Sequence, residues 1–162
     1  MIKQLVIAIA GIAVGFAGYR GYEATQLVQP YAFNHAVHQV MKCAVCHVGA
    51  QSEIRAGLPS FKTCTNCHST SPLTDAASVR IWNQGKEDGG VQWYKLTAVP
   101  THVYFSHRRH TALAKLPCDR CHGEMNVRTS PPMFPLKRVR MDGCLDCHVK
   151  MNQTTDCAHC HR

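Results

Sequence analysis

Charged residues are scarce in this chain of 162 residues: Asp, Glu, Lys and Arg make up 17% of it, below the roughly 25% of an average globular protein. Hydrophobic residues, at 45%, are close to average. This combination excludes a long disordered chain, which would be poor in apolar residues. Long apolar runs are also lacking, since residues 5–19 form the longest one, and this excludes a protein that crosses a membrane several times.

No cysteine lies outside a single pattern. All ten fall into five C-x-x-C pairs, and each pair is followed at once by His. A disulfide framework would not confine itself to five identical triplets, and a thioredoxin-like motif occurs once per domain. Zinc knuckles do not need His after the second Cys. The triplets, numbered 1 to 5 along the chain, are Cys43-Cys46-His47, Cys64-Cys67-His68, Cys118-Cys121-His122, Cys144-Cys147-His148 and Cys157-Cys160-His161.

C-x-x-C-H is the attachment sequence of c-type haem. The two thiols add to the haem vinyl groups as thioethers, and the adjacent His becomes the proximal ligand of the iron. We therefore predict five covalently bound haem c groups. Because such haem is attached outside the cytoplasm, we also expect an exported haem domain.

The polypeptide is too small to enclose five macrocycles in a conventional core. About 140 residues follow the N-terminal segment, or roughly 28 for each haem, and a small chain buries little surface. We therefore predict a mainly irregular, short-helical multihaem cytochrome c fold with little β structure, in which the haems form the core.

The N-terminal apolar run allows two interpretations, a cleaved signal peptide or an uncleaved signal-anchor. Residues 5–19 carry no charge, and Lys3 and Arg20 at its two sides can snorkel to a membrane surface. A strong A-x-A cleavage site directly after the run is missing. We therefore expect one N-terminal transmembrane helix over residues 1–22, a single-pass location in the cytoplasmic (inner) membrane, and a periplasmic haem domain over residues 23–162.

The pattern F-x-H-x-x-H occurs twice, at residues 33–38 and 105–110, each time shortly before a triplet and followed by a further triplet. This repetition predicts a di-haem unit over residues 33–68 and a tri-haem unit over 102–162. Residues 69–101 form a haem-poor insertion between them.

The insertion contains two tryptophans and a glycine-rich stretch. We expect Trp82 and Trp93 to pack on haem edges rather than to form a docking surface. Residues 85–90 are expected to form a surface loop, because glycine breaks regular elements.

Six histidines remain once the proximal ones are set aside. His159 lies inside its own triplet and cannot easily reach the distal face, so five histidines match five haems in number. In F-x-H-x-x-H the two imidazoles are three residues apart and can serve two different haems. The predicted distal ligands are His35, His38, His102, His107 and His110.

A methionine could replace one of these distal ligands, and Met133 and Met141 are the first candidates. Full six-coordination leaves no open position for a substrate, and no C-x-x-C-K variant is present. The sequence therefore favours electron transfer over catalysis on a substrate.

The positive net charge of the apoprotein does not indicate a polyanionic partner. The formal net charge is +8, but each oxidised haem adds roughly −1 through its propionates. The clustered basic side chains are therefore expected to solvate propionates, and no nucleic-acid partner is expected. These residues are Arg108, Arg109, Lys115, Lys137, Arg138 and Arg140.

The segments F-x-H-x-x-H followed by C-x-x-C-H resemble the class III multihaem cytochromes c. This resemblance implies that the first His of each pair ligates the haem bound just downstream and that the second ligates a different haem. Carried over, His35 would pair with the haem of His47, and His107 with that of His122.

The second half, from Trp93 onward, resembles more narrowly the pentahaem subunit of alternative complex III. The resemblance rests on the sequence around His102 to His110, on Cys118-Asp-Arg-Cys121-His122-Gly123 and on the two last triplets. It implies a membrane-anchored relay that takes electrons from iron-sulfur and integral quinol-binding subunits. A mono-haem cytochrome c or a copper protein would then accept them.

Three alternatives stay open. The chain could be a stand-alone pentahaem carrier for a terminal reductase, a small quinol dehydrogenase with its own quinol site, or an enzyme with a haem active site. The second usually carries a Met shortly after the first triplet, whereas Val-Gly-Ala follows His47 here.

Overall fold

Short helices joined by loops make up the computed structural model, which describes residues 2–25, 27–72, 74–88 and 90–161. The β pairing in these ranges is a single antiparallel bridge between Val103 and His161. Tight 3-10 turns cover Ala36–His38 and Met125–Val127, and a π turn covers Arg109–Leu113. The predicted short-helical architecture with little β structure is confirmed. The α-helices are α1 (Ile2–Thr25), α2 (Cys43–Cys46), α3 (Phe61–Thr65), α4 (Ala76–Glu87), α5 (Asp119–His122), α6 (Met141–Lys150) and α7 (Cys157–Cys160).

The predicted transmembrane anchor over residues 1–22 is wrong, and with it the single-pass membrane location. The segment does form a helix, α1, but no helix among the residues described is long and apolar enough to cross a membrane. The physical reason is length: fifteen apolar residues rise about 22 Å as a helix, against a hydrocarbon core of about 30 Å. Lys3 and Gln4 on one side and Arg20 on the other end the run.

The polypeptide exposes far more surface than a compact protein of its size. Its accessible area is 12455 Å², against roughly 8,000 Å² expected for a folded chain of 18.0 kDa. Three hydrophobic side chains are buried in the part of the chain that the structure describes: Tyr31, Phe61 and Trp82. The protein atoms alone therefore leave their apolar faces uncovered, as expected of a chain that wraps large cofactors.

Helix α4 packs its one apolar face against that small cluster. Asp75 caps its first turn by accepting a hydrogen bond from the backbone N–H of Ser78 at 2.9 Å, and this bond lowers the pKa of the Asp75 carboxyl. Ser78, Trp82 and Gly85 follow at helical spacing and are buried. A Cβ atom at Gly85 would lie 3.0 Å from the ring of Phe61, so glycine allows the close approach of α4 to α3.

The glycine-rich stretch is only partly the surface loop that the sequence predicts. Residues 85–87 complete α4, and Gly85 is buried rather than exposed. The remainder of the stretch includes Gly89, which lies outside the described residues. Packing against Phe61 thus extends the helix beyond the point at which glycine alone suggests a break.

The insertion is fixed to the N-terminal part of the haem domain by side-chain hydrogen bonds. Gln29 and Tyr94 bond reciprocally: the Gln29 amide donates to the Tyr94 carbonyl at 2.7 Å and accepts from the Tyr94 N–H at 3.0 Å. The Trp93 indole N–H donates to the carbonyl of Pro59 at 2.8 Å. Residues 69–101 therefore close over triplet 2 rather than extending away from it.

Gly123 directly follows triplet 3 in a conformation that other residues avoid. Its φ is 75° and its ψ is −179°, and a Cβ atom there would lie 2.9 Å from the Cβ of Leu136. We predict that Gly123→Ala lowers the free energy of unfolding by about 3 kcal/mol, because backbone strain and overpacking add. Denaturant unfolding of the holoprotein measures this, with Gly15→Ala in the open surroundings of α1 as the control. Equal midpoints for the two variants would contradict the prediction.

Candidate functional site

Every triplet lies on a helical turn that brings its three functional side chains to one side. In four triplets the backbone N–H of the His donates to the carbonyl of the first Cys at 2.8 to 3.0 Å. The remaining triplet, number 4, lies wholly inside α6. Residues three and four apart share a helix face, so two thiols and one imidazole point together, as covalent haem attachment requires.

All ten thiols are free of disulfides. Within the described ranges, no group of three or more His, Cys, Asp or Glu side chains could hold a metal ion by itself. A single triplet therefore offers one imidazole to a metal. A second imidazole has to come from elsewhere in the chain, which makes the surroundings of each proximal His the decisive observation.

Four of the five proximal histidines have the ring of a predicted distal histidine next to them. Two axial imidazoles on one iron hold their ring centroids about 6 Å apart, because each metal–nitrogen bond is about 2 Å long and the centroid lies about 1 Å behind the nitrogen. The residues present therefore fit a haem iron with two histidine ligands. The centroid distances are 6.1 Å for His38–His68, 6.3 Å for His107–His122, 6.3 Å for His110–His148 and 5.5 Å for His102–His161.

The remaining proximal histidine, His47, interacts electrostatically with His35, and also with His107 and His122. Burial lowers the pKa of His35, and the nearby charges of His47 and His38 lower it further. The Nδ1 atom of His35 is buried and, in the part of the chain described, has no hydrogen-bond partner. A neutral imidazole is the form that ligates metals, so this environment suits His35 to ligation.

The equivalent histidine of the second repeat is held in the neutral form by the same cause. Burial lowers the pKa of His107, a hydrogen bond to the carbonyl of Ile54 partly opposes this, and the charges of His110 and His47 lower it further. Burial also lowers the pKa of His122, followed by the charge of His107. In both rings of this pair, burial thus favours the neutral form.

The Phe that begins each F-x-H-x-x-H repeat holds both histidines in the same way. Its ring meets the first His edge-on and stacks on the second. The Nδ1–H of the second His donates to the backbone carbonyl four residues earlier, to Asn34 at 2.9 Å and to Ser106 at 2.8 Å, which leaves Nε2 for a metal. The ring-centroid distances and interplanar angles are 4.8 Å and 86° for Phe33–His35, 4.8 Å and 19° for Phe33–His38, 4.9 Å and 87° for Phe105–His107, and 4.7 Å and 24° for Phe105–His110.

Sequence reasoning did not assign a role to these phenylalanines. The signal was present, because Phe stands two residues before the first His in both repeats. Trp82 behaves similarly at triplet 2, where its ring meets that of His68 edge-on at 6.4 Å. Aromatic contacts of this kind fix the plane of an imidazole.

Met133 and Met141, the possible alternative distal ligands, are 44% and 60% exposed. Four of the five proximal histidines already have the ring of another histidine as their neighbour. The structure thus brings neither methionine into these pairs.

Burial is the largest cause that raises the pKa values of five of the ten thiols. The next cause is in each case a thiol of another triplet. These cysteines are Cys46, Cys64, Cys118, Cys121 and Cys144. The triplets therefore lie close to one another.

Comparison with known proteins agrees with this geometry. Residues 18–88 match the Class III cytochrome C family, and residues 103–162 match the family described as cytochrome c7 and related cytochrome c. The class III part of the resemblance is thereby confirmed.

A curated relative is the "Menaquinone reductase, multiheme cytochrome c subunit" of Nitratidesulfovibrio vulgaris. It is 30% identical over 118 residues, which are 70% of this chain. The match spans 55% of that relative's length, so the relative has a substantial part that this chain does not cover.

Proposed function

We propose that this chain, which is a multihaem c-type cytochrome that transfers electrons, carries five haem c groups and serves as the cytochrome subunit of a quinone-linked complex. The observation that carries the proposal is the set of histidine pairs at triplets 2 to 5, and we propose His35 as the partner at triplet 1. In each pair a proximal histidine, fixed next to two thiols, has a second histidine beside it.

The haem groups supply a reversible one-electron change at iron. The residues of the chain would do the rest: the ten cysteines would hold the macrocycles, and ten histidines, two for each haem, would ligate the irons. Since two protein ligands leave no vacant position for a substrate, the chain itself is a relay and not a catalyst. Burial favours the neutral form of His35, His107 and His122, which is the form that ligates a metal.

The relative suggests the kind of complex. Its name describes a cytochrome subunit of an enzyme that reduces menaquinone. By analogy, one electron at a time would enter this chain from an external donor and leave it toward a subunit that reduces a quinone. Two such transfers and two protons complete the reduction of one quinone to its quinol.

Alternative complex III is the second candidate, and the observation behind it is the sequence from Trp93 to triplet 5. Here the electrons would travel in the opposite sense, from quinol-oxidising and iron-sulfur subunits to a mono-haem cytochrome c or a copper protein. The stacked His102–His161 pair brings the early part of this stretch into contact with its last triplet. A stand-alone carrier is the third outcome.

A haem-stained native gel of gently solubilised cells that express the tagged chain tests the proposal. We expect one large band that contains the chain, an iron-sulfur subunit and a quinone-binding subunit, with five haems per chain by haemochrome assay and intact mass. Migration near the mass of the holoprotein alone would identify a stand-alone carrier. Fewer than five haems would contradict the site assignment.

The direction of transfer needs a second measurement on the purified complex. If quinol addition reduces the haems, the alternative complex III assignment is supported. If reduced haems are oxidised by added quinone, the menaquinone-reductase assignment is supported.

A further inference from the structure

We infer that the five haem sites form an unbranched line in the order 2–1–3–4–5, so that sites 2 and 5 are its two ends. Here each site carries the number of its triplet. The inference rests on the proposed haem sites and adds what the sequence order does not contain, namely which site adjoins which.

The first contact, between sites 1 and 2, follows from a single turn of chain. His38 ends the short 3-10 segment Ala36–His38, and His35 is the N-cap residue directly before that segment. His38 faces His68 at 6.1 Å, and the charge of His47 acts on His35 of the same turn. The Nδ1–H of His47 also donates to the carbonyl of Gly57 at 3.2 Å, in the short loop that leads to triplet 2. Because one turn and one loop link them, sites 1 and 2 are adjacent.

The contact between sites 3 and 4 repeats this arrangement. His107 faces His122 and His110 faces His148, both at 6.3 Å. The thiol of Cys121 interacts with that of Cys147. The second repeat therefore joins its two sites through one turn, as the first repeat does.

Sites 1 and 3 join the two halves. The loop after triplet 1 accepts hydrogen bonds from the second repeat: His107 N–H donates to Ile54 O at 2.9 Å and Arg108 N–H to Glu53 O at 3.0 Å. Thr111 Oγ1 donates to Ala50 O at 2.6 Å. Triplets 1 and 3 thus face each other directly.

Site 5 continues the line from site 4. The Nδ1–H of His148 donates to the carbonyl of Thr154 at 2.8 Å, three residues before the first Cys of triplet 5, which places triplet 5 beside triplet 4. His102 stacks on His161, and the Tyr104 N–H donates to the Cys160 carbonyl at 2.8 Å. The last triplet is therefore held at the far end of the second half.

The two ends differ in how the chain covers them. At site 2 the insertion supplies Trp82 beside His68, and the buried cluster of Tyr31, Phe61 and Trp82 lies there. At site 5 the residues from 151 to 159 are all exposed. Electrons that pass along the whole line enter at one of these ends and leave at the other.

Electron paramagnetic resonance of three holoprotein variants tests the order. Each variant removes one proposed distal ligand and so leaves one iron with an open position. His38→Ala does this at site 2, His107→Ala at site 3, and His102→Ala at site 5. A high-spin haem accelerates the relaxation of adjacent low-spin haems. We therefore expect two low-spin haems to relax faster in His107→Ala, and one in each of the other two variants. Any other pattern, such as two in His38→Ala, overturns the order.

Failure of the proposed function gives a different result. A variant that binds five haems but shows no high-spin signal refutes the ligand assignment itself. The order is then read from crystals of the unmodified holoprotein, where the iron of site 1 must have the irons of sites 2 and 3 as its nearest neighbours. A different nearest neighbour refutes the order, and the same crystals serve if a variant does not accumulate.

Discussion

His107→Ala is expected to convert one of the five haems from low-spin to high-spin without loss of its covalent attachment. The ring of His107 lies 6.3 Å from that of His122 and nearly parallel to it, at 4°. Removal of the His107 imidazole takes away one axial ligand, whereas the thiols of Cys118 and Cys121 still hold the macrocycle. The absorption and paramagnetic resonance spectra of the oxidised holoprotein measure the change, and the mass of the chain reports the number of haems.

The matched control is His159→Ala. His159 lies inside triplet 5, is exposed, and its Nδ1 lies 3.1 Å from the carboxylate of Asp156. Its removal should leave all five haems low-spin. A His107→Ala protein whose low-spin count equals that of the control would rule out His107 as a ligand.

Trp82→Ala is expected to cause the largest loss of stability, about 3–5 kcal/mol. Trp82 is 5% exposed in a chain with few buried side chains. Its ring centroid lies 4.7 Å from that of Phe61 and 6.3 Å from that of Tyr31. Because the cluster is small, the neighbours cannot close the cavity that the indole leaves. Thermal unfolding of the holoprotein, followed by circular dichroism, measures the loss.

Two further variants make this prediction specific. Val40→Ala removes a side chain that is 91% exposed and should change the free energy of unfolding by less than about 0.5 kcal/mol. Trp82→Phe keeps part of the ring packing and should lie between the two. If the Trp82→Ala and Val40→Ala proteins unfold at the same temperature, the cluster does not stabilise the insertion.

Local chemistry is what makes the proposed haem-binding residues recognisable in the sequence. A thioether pair and an axial His must lie within one helical turn, so the spacing of each triplet is visible in the sequence. The short-helical fold followed from the same count, since five macrocycles leave too little chain for a conventional core. The F-x-H-x-x-H repeat likewise marked His35, His38, His107 and His110 as a set.

Predictions that depended on length or on distant packing were less successful. The apolar run of residues 5–19 suggested a membrane anchor, but the helix around it is not apolar over a sufficient length. Residues 85–90 suggested a loop, but contact with Phe61 makes Gly85 part of α4. In both cases a local pattern was extended beyond the distance over which it holds.

The sequence by itself determined the chemistry of this protein: the haem c attachment, its multiplicity in triplets and the repeated supply of imidazoles. These are properties of neighbouring residues, which covalent geometry keeps together in any fold. The tertiary structure alone decided which distant histidine faces which triplet, for example His102 and His161, and in what order the triplets meet. The reason is that those contacts join residues far apart in the chain, and only the packing of the turns brings them together.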